Sequence, residues 1–277
     1  MVLVRNEAED DATQVLVLAM DNAKEFYNVL KTLTFREHAE FEASPSGVKV
    51  TVDDMKCLQA IAYLKRDLFS VFVLREETVT FRIPLGVLCE CVNLFGSSPN
   101  SSTALRMTYG GLGEPLKVIM EEGGVVIRCS VRTQQSDEIL DFEFDPENVV
   151  SKIIMKTEAL WDQFVDLDTS SNTLAFAVDI KPSRLRLSTD GELGTIDIDF
   201  PADSEIIEKF ETKEKHQNKY RLSLIRRVNK TLHLAQKVSI RTDTRGILSM
   251  QFMVEQPDNQ HIFIEFFCVP DTDDYDP

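Results

Sequence analysis

With 277 residues, 43% hydrophobic and 27% charged, the chain is long enough for one large domain or two ordinary ones, each burying its own core. No apolar run approaches the roughly 18–20 residues of a membrane span, and the opening MVLVRNEAEDDA lacks the basic head and apolar block of a signal peptide. The formal charge of −16 is concentrated: Glu7–Asp11, Gln134–Asn148 and Asp271–Asp276 hold 14 of the 46 acids, leaving 32 acids against 30 bases elsewhere. A near-neutral body with local basic faces is therefore compatible with a polyanionic partner.

In chain order, the apolar stretch Gln14–Met20 reads as a strand, and Asp21–Leu33 as an amphipathic helix. That helix buries Ala23, Phe26, Tyr27, Leu30 and Leu33 and shows Lys24, Asn28 and Lys31 on its other side. Ser46–Asp53 and Thr78–Ile83 alternate with period two, as half-buried antiparallel strands do. A second helix opens at Pro84, a residue suited to a first turn, and runs nearly all apolar to Phe95. Gln134–Asn148 has the composition of an extended acidic connector with Ile139, Leu140, Phe142 and Phe144 interspersed.

Val150–Lys156 then repeats the strand, and Thr157–Leu167 the helix, with Leu160, Trp161, Phe164 and Leu167 inside and Glu158, Asp162 and Asp166 outside. Arg184–Thr189, Thr195–Phe200, Lys237–Thr242 and Gly246–Glu255 alternate as strands. Leu222–Ala235 reads as a fourth helix, burying Ile225, Val228, Leu232 and Ala235 and exposing Arg226, Arg227 and Lys230. The first pair of helices starts 63 residues apart (21 to 84) and the second pair 65 apart (157 to 222). One supersecondary plan used in tandem explains this, and it places lobes at 1–133 and 149–277 around a connector at 134–148. The class is α+β with antiparallel sheets, since short, widely spaced helices do not supply the crossovers of a parallel sheet.

Catalytic motifs are scarce. No Gly-rich phosphate loop, nucleophile elbow or metal-spaced histidine pair occurs. Five cysteines (Cys57, Cys89, Cys91, Cys129, Cys268) without paired spacing read as free buried thiols of a reducing compartment, and no zinc site is expected. Asp197 and Asp199 are the one carboxylate pair suited to a divalent metal, which would make the chain a metal-dependent 3′–5′ exonuclease. Period two puts both on one strand face opposite Ile196 and Ile198, so an exposed polar face accounts for them equally. The expectation is a non-enzyme without cofactor or metal.

Ser188-Thr-Asp-Gly-Glu-Leu-Gly194 resembles the S-x-x-G-E-L-G segment of eukaryotic sliding clamps, the proliferating-cell-nuclear-antigen fold. Four stretches are similar to the Rad-one subunit family of the nine-one-one DNA-damage checkpoint clamp. They are Lys49-Val-Thr-Val with Lys56-Cys-Leu-Gln-Ala, Phe95-Gly-Ser-Ser-Pro, Thr103-Ala-Leu-Arg-Met and Val238-Ser-Ile-Arg-Thr-Asp-Thr-Arg-Gly246. The resemblance implies a DNA-clamp fold of two tandem lobes, sheets outside and two short helices per lobe on the inner face. It implies a nuclear, non-catalytic subunit that closes a heterotrimeric ring around double-stranded DNA with two other clamp subunits. An ATP-driven clamp loader would open that ring, and repair enzymes and checkpoint kinase activators would dock on it. The alternative within the fold is a homotrimeric replication clamp, against which the connector and the final residues speak.

On that implication Lys24, Lys31, Arg226, Arg227 and Lys230 face DNA by sparse phosphate contacts that let the ring slide. Val125–Thr133, with Val125, Val126, Ile127, Cys129 and Val131, matches one subunit-pairing edge strand. Thr195, Ile196, Ile198 and Phe200 match the other. Ile139, Leu140, Phe142 and Phe144 would cover a partner-peptide groove, or else pin the connector to its own lobe, the reading favoured here.

Overall fold

The computed structural model describes residues 11–96, 102–136, 139, 142, 144–165, 167–192, 194–256 and 260–271. Two compact units divide the chain: residues 1–53, 61–139 and 256–262 in the first, and 54–60, 140–255 and 263–277 in the second. Strands are named below with the unit that holds most of their residues.

The first unit contains β1 (Leu16–Met20), α1 (Ala23–Thr32), β2 (His38–Ser44), β3 (Gly47–Asp54), β4 (Leu58–Lys65), β5 (Val71–Leu74) and β6 (Val79–Pro84). It continues with α2 (Leu85–Val92), β7 (Ala104–Tyr109), β8 (Leu116–Glu122) and β9 (Val125–Val131). The second contains β10 (Val149–Lys156), α3 (Thr157–Val165), β11 (Thr173–Ile180), β12 (Ser183–Gly191), β13 (Gly194–Pro201), β14 (Ile207–Thr212) and β15 (His216–Arg221). Then come α4 (Leu222–Ile225), α5 (Asn229–Leu234), β16 (Lys237–Asp243), β17 (Leu248–Glu255) and β18 (His261–Cys268). Strands run β5-β1-β7-β8-β9 and β6-β2-β3-β4 in the first unit, and β14-β10-β16-β17-β18 and β15-β11-β12-β13 in the second. Every strand of the first unit thus has its counterpart nine strands later, in the same neighbour order.

Local chemistry explains where the helices begin and end. Asn22 caps α1: its Oδ1 accepts from the Lys24 N–H at 3.1 Å while its Nδ2 donates to Glu25 at 2.8 Å. Such a cap contributes about 1 kcal/mol. Tyr27 lies half-buried at the rim of that helix rather than inside it, and Trp161 is likewise half-buried, its ring 5.3 Å from that of His233. Pro84 ends β6 and caps α2, which stops at Val92, three residues short of the expected end. The expected single helix over Leu222–Ala235 is instead α4, a 3-10 turn at Arg226–Val228, and α5.

Aromatic residues fill each core. Phe41 stacks on Phe81 with ring centroids 5.4 Å apart, and Phe81 meets Tyr109 at 4.5 Å. In the second unit Phe176 sits edge-on to Tyr220 at 5.5 Å, and Phe252 to Phe266 at 5.8 Å. Each fully buried ring contributes about 1.5–3 kcal/mol. The motif ending at Gly246 is a tight turn: Asp243 Oδ1 accepts from the N–H groups of Arg245 and Ile247, both at 2.9 Å. Gly246 there has φ +79°, and a Cβ would come 2.6 Å from Asn218 Oδ1. Of the five free cysteines only Cys89 and Cys268 are buried; Cys57, Cys91 and Cys129 are half-buried, contrary to the expectation for all five.

Candidate DNA-facing and subunit-edge surfaces

Basic side chains gather on one helical segment of each unit. On α1, Lys31 is exposed, with Nζ 5.5 Å from the Tyr27 ring centroid, and Lys24 is half-buried. The interrupted α4–α5 segment exposes Arg227 and Lys230 and leaves Arg226 half-buried. The companion helices differ: α2 exposes Val87 and Glu90, and α3 exposes Glu158 and Asp162. Phosphate would be attracted to α1 and to α4–α5, and repelled by the other two.

The two strands singled out in the sequence both end their sheets. Among the described residues β9 pairs with β8 only, from Leu116↔Val131 to Glu122↔Val125, and β13 pairs with β12 only, from Arg184↔Pro201 to Gly191↔Gly194. On β9, Val131 is buried, Val126, Ile127 and Cys129 are half-buried and Val125 is exposed. On β13, Phe200 is buried, Ile196 and Ile198 are half-buried and Thr195 is exposed. Burial, reinforced by the adjacent Cys129 thiol, pushes the Cys91 thiol up to about 11.

Asp197 and Asp199 are held by the neighbouring strand. Arg186 donates to Asp199 from Nε at 2.7 Å and from its second nitrogen at 2.9 Å, and lies 3.2 Å from Asp197. Arg184 bridges Asp199 at 2.9 Å to Asp179 at 3.0 Å, Lys215 closes on Asp179 at 2.9 Å, and Ser188 Oγ donates to Asp197 at 2.6 Å. The hydrogen bonds from Arg186 hold the Asp199 carboxyl below the usual carboxylate range, and those from Lys215 and Arg184 do the same for Asp179. Reciprocally, Asp199 raises the Arg186 guanidinium. A metal would have to displace these guanidiniums. Among the described residues, no group of three or more His, Cys, Asp or Glu is arranged to hold an ion. The sequence reading missed this network, since strand alternation shows which face Asp197 and Asp199 share but not which strand lies beside them.

Gly191 in the Ser188–Gly194 motif is a close approach. A Cβ there would fall 2.4 Å from Asp168 Oδ2 and 2.5 Å from Ser170 Oγ, because Ser170 Oγ accepts from the Glu192 N–H at 2.7 Å. The hairpin feeding β13 is thereby fastened to the loop after α3.

Of the connector residues, Phe142 is buried and its ring stacks on Phe267 at 5.9 Å; Phe144 is half-buried, 5.7 Å from the same ring. Arg245 donates to the Phe142 carbonyl at 2.9 Å, and the Arg241 guanidinium lies 5.2 Å from the Phe144 ring. Ile139 is half-buried, and Leu140 lies outside the described residues.

Two units of one plan, with short helices and a long antiparallel sheet system, make this a DNA-clamp fold. A crystal structure of PCNA from Thermococcus kodakaraensis has the same fold, with a TM-score of 0.75 over 92% of this chain and 100% of that one at 17% identity. The model of the family described as Repair protein Rad1/Rec1/Rad17 matches residues 15–254, and the chain belongs to that family. The mouse (Mus musculus) cell cycle checkpoint protein RAD1 is 44% identical over 274 residues, covering 98% of each chain. A more distant relative, the DNA repair exonuclease REC1 of Mycosarcoma maydis, is 24% identical over 63% of this chain and 49% of its own. The chain is thus a checkpoint clamp protein.

Proposed function

We propose that the chain is a non-catalytic subunit of a ring-shaped heterotrimeric checkpoint clamp, its lobes at 1–133 and 149–277 joined by the connector 134–148. The observation that carries this reading is that β9 and β13, the two strands matched to pairing edges, both end their sheets and, among the described residues, each bonds to a single neighbouring strand within a clamp fold. Exposed strand edges template further strands, so two such edges on one chain support head-to-tail closure with two other clamp subunits. Double-stranded DNA passes through the ring and is held by Lys24, Lys31, Arg226, Arg227 and Lys230 through phosphate contacts, which carry no sequence preference. An ATP-driven loader opens the ring in the nucleus, and repair enzymes and checkpoint kinase activators use it as a platform.

The exonuclease reading draws on one relative's name and on Asp197 and Asp199. The guanidiniums of Arg184 and Arg186 count against it, because both carboxylates are already neutralised. Light scattering tests the main reading. A species near 31.5 kDa that enters a three-protein complex with two partner subunits is expected. A homotrimer at three times that mass, about 94 kDa, would overturn it. Changing Arg226, Arg227 and Lys230 to Ala weakens retention of the closed ring on DNA and lowers the salt dependence by about one unit of slope per lost phosphate contact. Unchanged retention would remove those residues from the lining.

A further inference from the structure

The sheet-ending strands β9 and β13 have complementary side chains, which poses a problem for a protein that must choose foreign neighbours. On β9 one face carries half-buried Val126 and exposed Arg128 and Ser130, with exposed Arg132 just beyond the strand, while Val125, Ile127, Cys129 and Val131 alternate on the other face. On β13 the polar face carries exposed Thr195, Asp197 and Asp199, with Ile196, Ile198 and Phe200 opposite. By pattern alone β9 of one copy is a good partner for β13 of another: apolar face meets apolar face, and arginines meet aspartates across the new ladder. Such a contact is head-to-tail and propagates into homomeric rings or filaments.

What removes the attraction lies one strand further in. Arg184 and Arg186 reach from β12 over β13 and occupy Asp199 through three hydrogen bonds of 2.7–2.9 Å, and Arg186 also sits 3.2 Å from Asp197. An arriving basic strand therefore finds the carboxylates already satisfied, and each of its guanidiniums that approaches them is brought close to Arg184 or Arg186, a like-charge contact that is unfavourable. We propose that Arg184 and Arg186 are specificity determinants that bar β13 from the β9 strand of a second copy and reserve it for a neighbour whose docking strand is not basic. This rests on β13 being a subunit edge, as argued above.

The test is the native mass of the full-length Arg184→Gln/Arg186→Gln chain, purified alone, across a concentration series at low and high salt. Self-association at least tenfold tighter than that of the unaltered chain is expected, weakening with salt and reversed by adding Arg128→Gln and Arg132→Gln. A folded double variant that stays near 31.5 kDa overturns the proposal. Should the double variant lose its circular-dichroism spectrum, Arg186→Gln alone decides. It takes the guanidinium from Asp197, which keeps the Ser188 hydroxyl, while Arg184 still holds Asp199 and Asp179, and it must show the same salt-sensitive association in weaker form. Entry of the variants into the three-protein complex separates the two ideas. A monomeric variant that still enters the complex sinks the filter and leaves the heterotrimer standing; failure of the unaltered chain to enter sinks the heterotrimer itself.

Discussion

β9 and β13 occupy comparable places, each the last strand of its sheet, and each alternates apolar and charged residues. Yet they present different electrostatic surfaces. β9 presents exposed arginines, and β13 presents aspartates that are gripped from β12 by Arg184 and Arg186. The contrast teaches that the charge of an edge strand is a property of two strands, because neighbouring side chains about 5 Å apart on one face neutralise each other. Formal charge along β13 overstates its acidity toward a partner.

The largest expected effect sharpens the comparison at the hairpins. Gly191→Ala, which would drive a Cβ into Asp168 and Ser170, is expected to lower stability by about 1–3 kcal/mol, read as a lower urea midpoint. Gly124→Ala in the hairpin leading to β9 meets no atom within 4 Å and suffers only from its φ of +82°, a loss of about 1 kcal/mol. Equal losses would mean that β13 is no more tightly moored than β9.

Next comes salt. Arg128→Gln/Arg132→Gln is expected to slow association with the neighbour at β9 by about tenfold at low ionic strength and little at high. Pairing through β13 should be nearly flat with salt. Parallel salt slopes at the two edges would break the distinction.

The smallest effect concerns acid. Asp199 and Asp179 have folded-state values below the unfolded carboxylate value of about 3.9. Their contribution is therefore fully present above that unfolded value and is lost as pH falls through the folded one. Asp199→Asn should cost about 0.5–1 kcal/mol at neutral pH, discounted because the pair is partly exposed, and nothing once acid has protonated the wild-type carboxyl. A difference between the two chains that persists in strong acid would show that geometry rather than charge holds β13.

Much of this was legible beforehand. Alternation located β3, β6, β12, β13, β16 and β17 within a residue or two, and the spacing of amphipathic stretches showed the duplication that strand order repeats. The Ser188–Gly194 and Val238–Gly246 segments pointed to the clamp fold through their resemblance to known clamps; the φ of +79° at Gly246 and the close approach at Gly191 show why glycine stands at those two positions. Less was legible for β14 and β15, whose segments Ile-Glu-Lys-Phe-Glu-Thr and His-Gln-Asn-Lys-Tyr-Arg are too polar to announce a buried face. The break at Arg226–Val228 was hidden as well, since helical periodicity continues through it.

By itself the sequence determined most of the residues that face inward, where the strongly alternating strands and the first three helices begin, and that one plan is used twice; these follow from period, cap and glycine chemistry acting over a few residues. Which strands stand last in their sheets, that Phe142 and Phe144 rest on Phe267, and that Asp197 and Asp199 belong to Arg184 and Arg186 were decided by tertiary structure. Each depends on which strand lies alongside, and a periodicity of two constrains a strand's faces without choosing its neighbour.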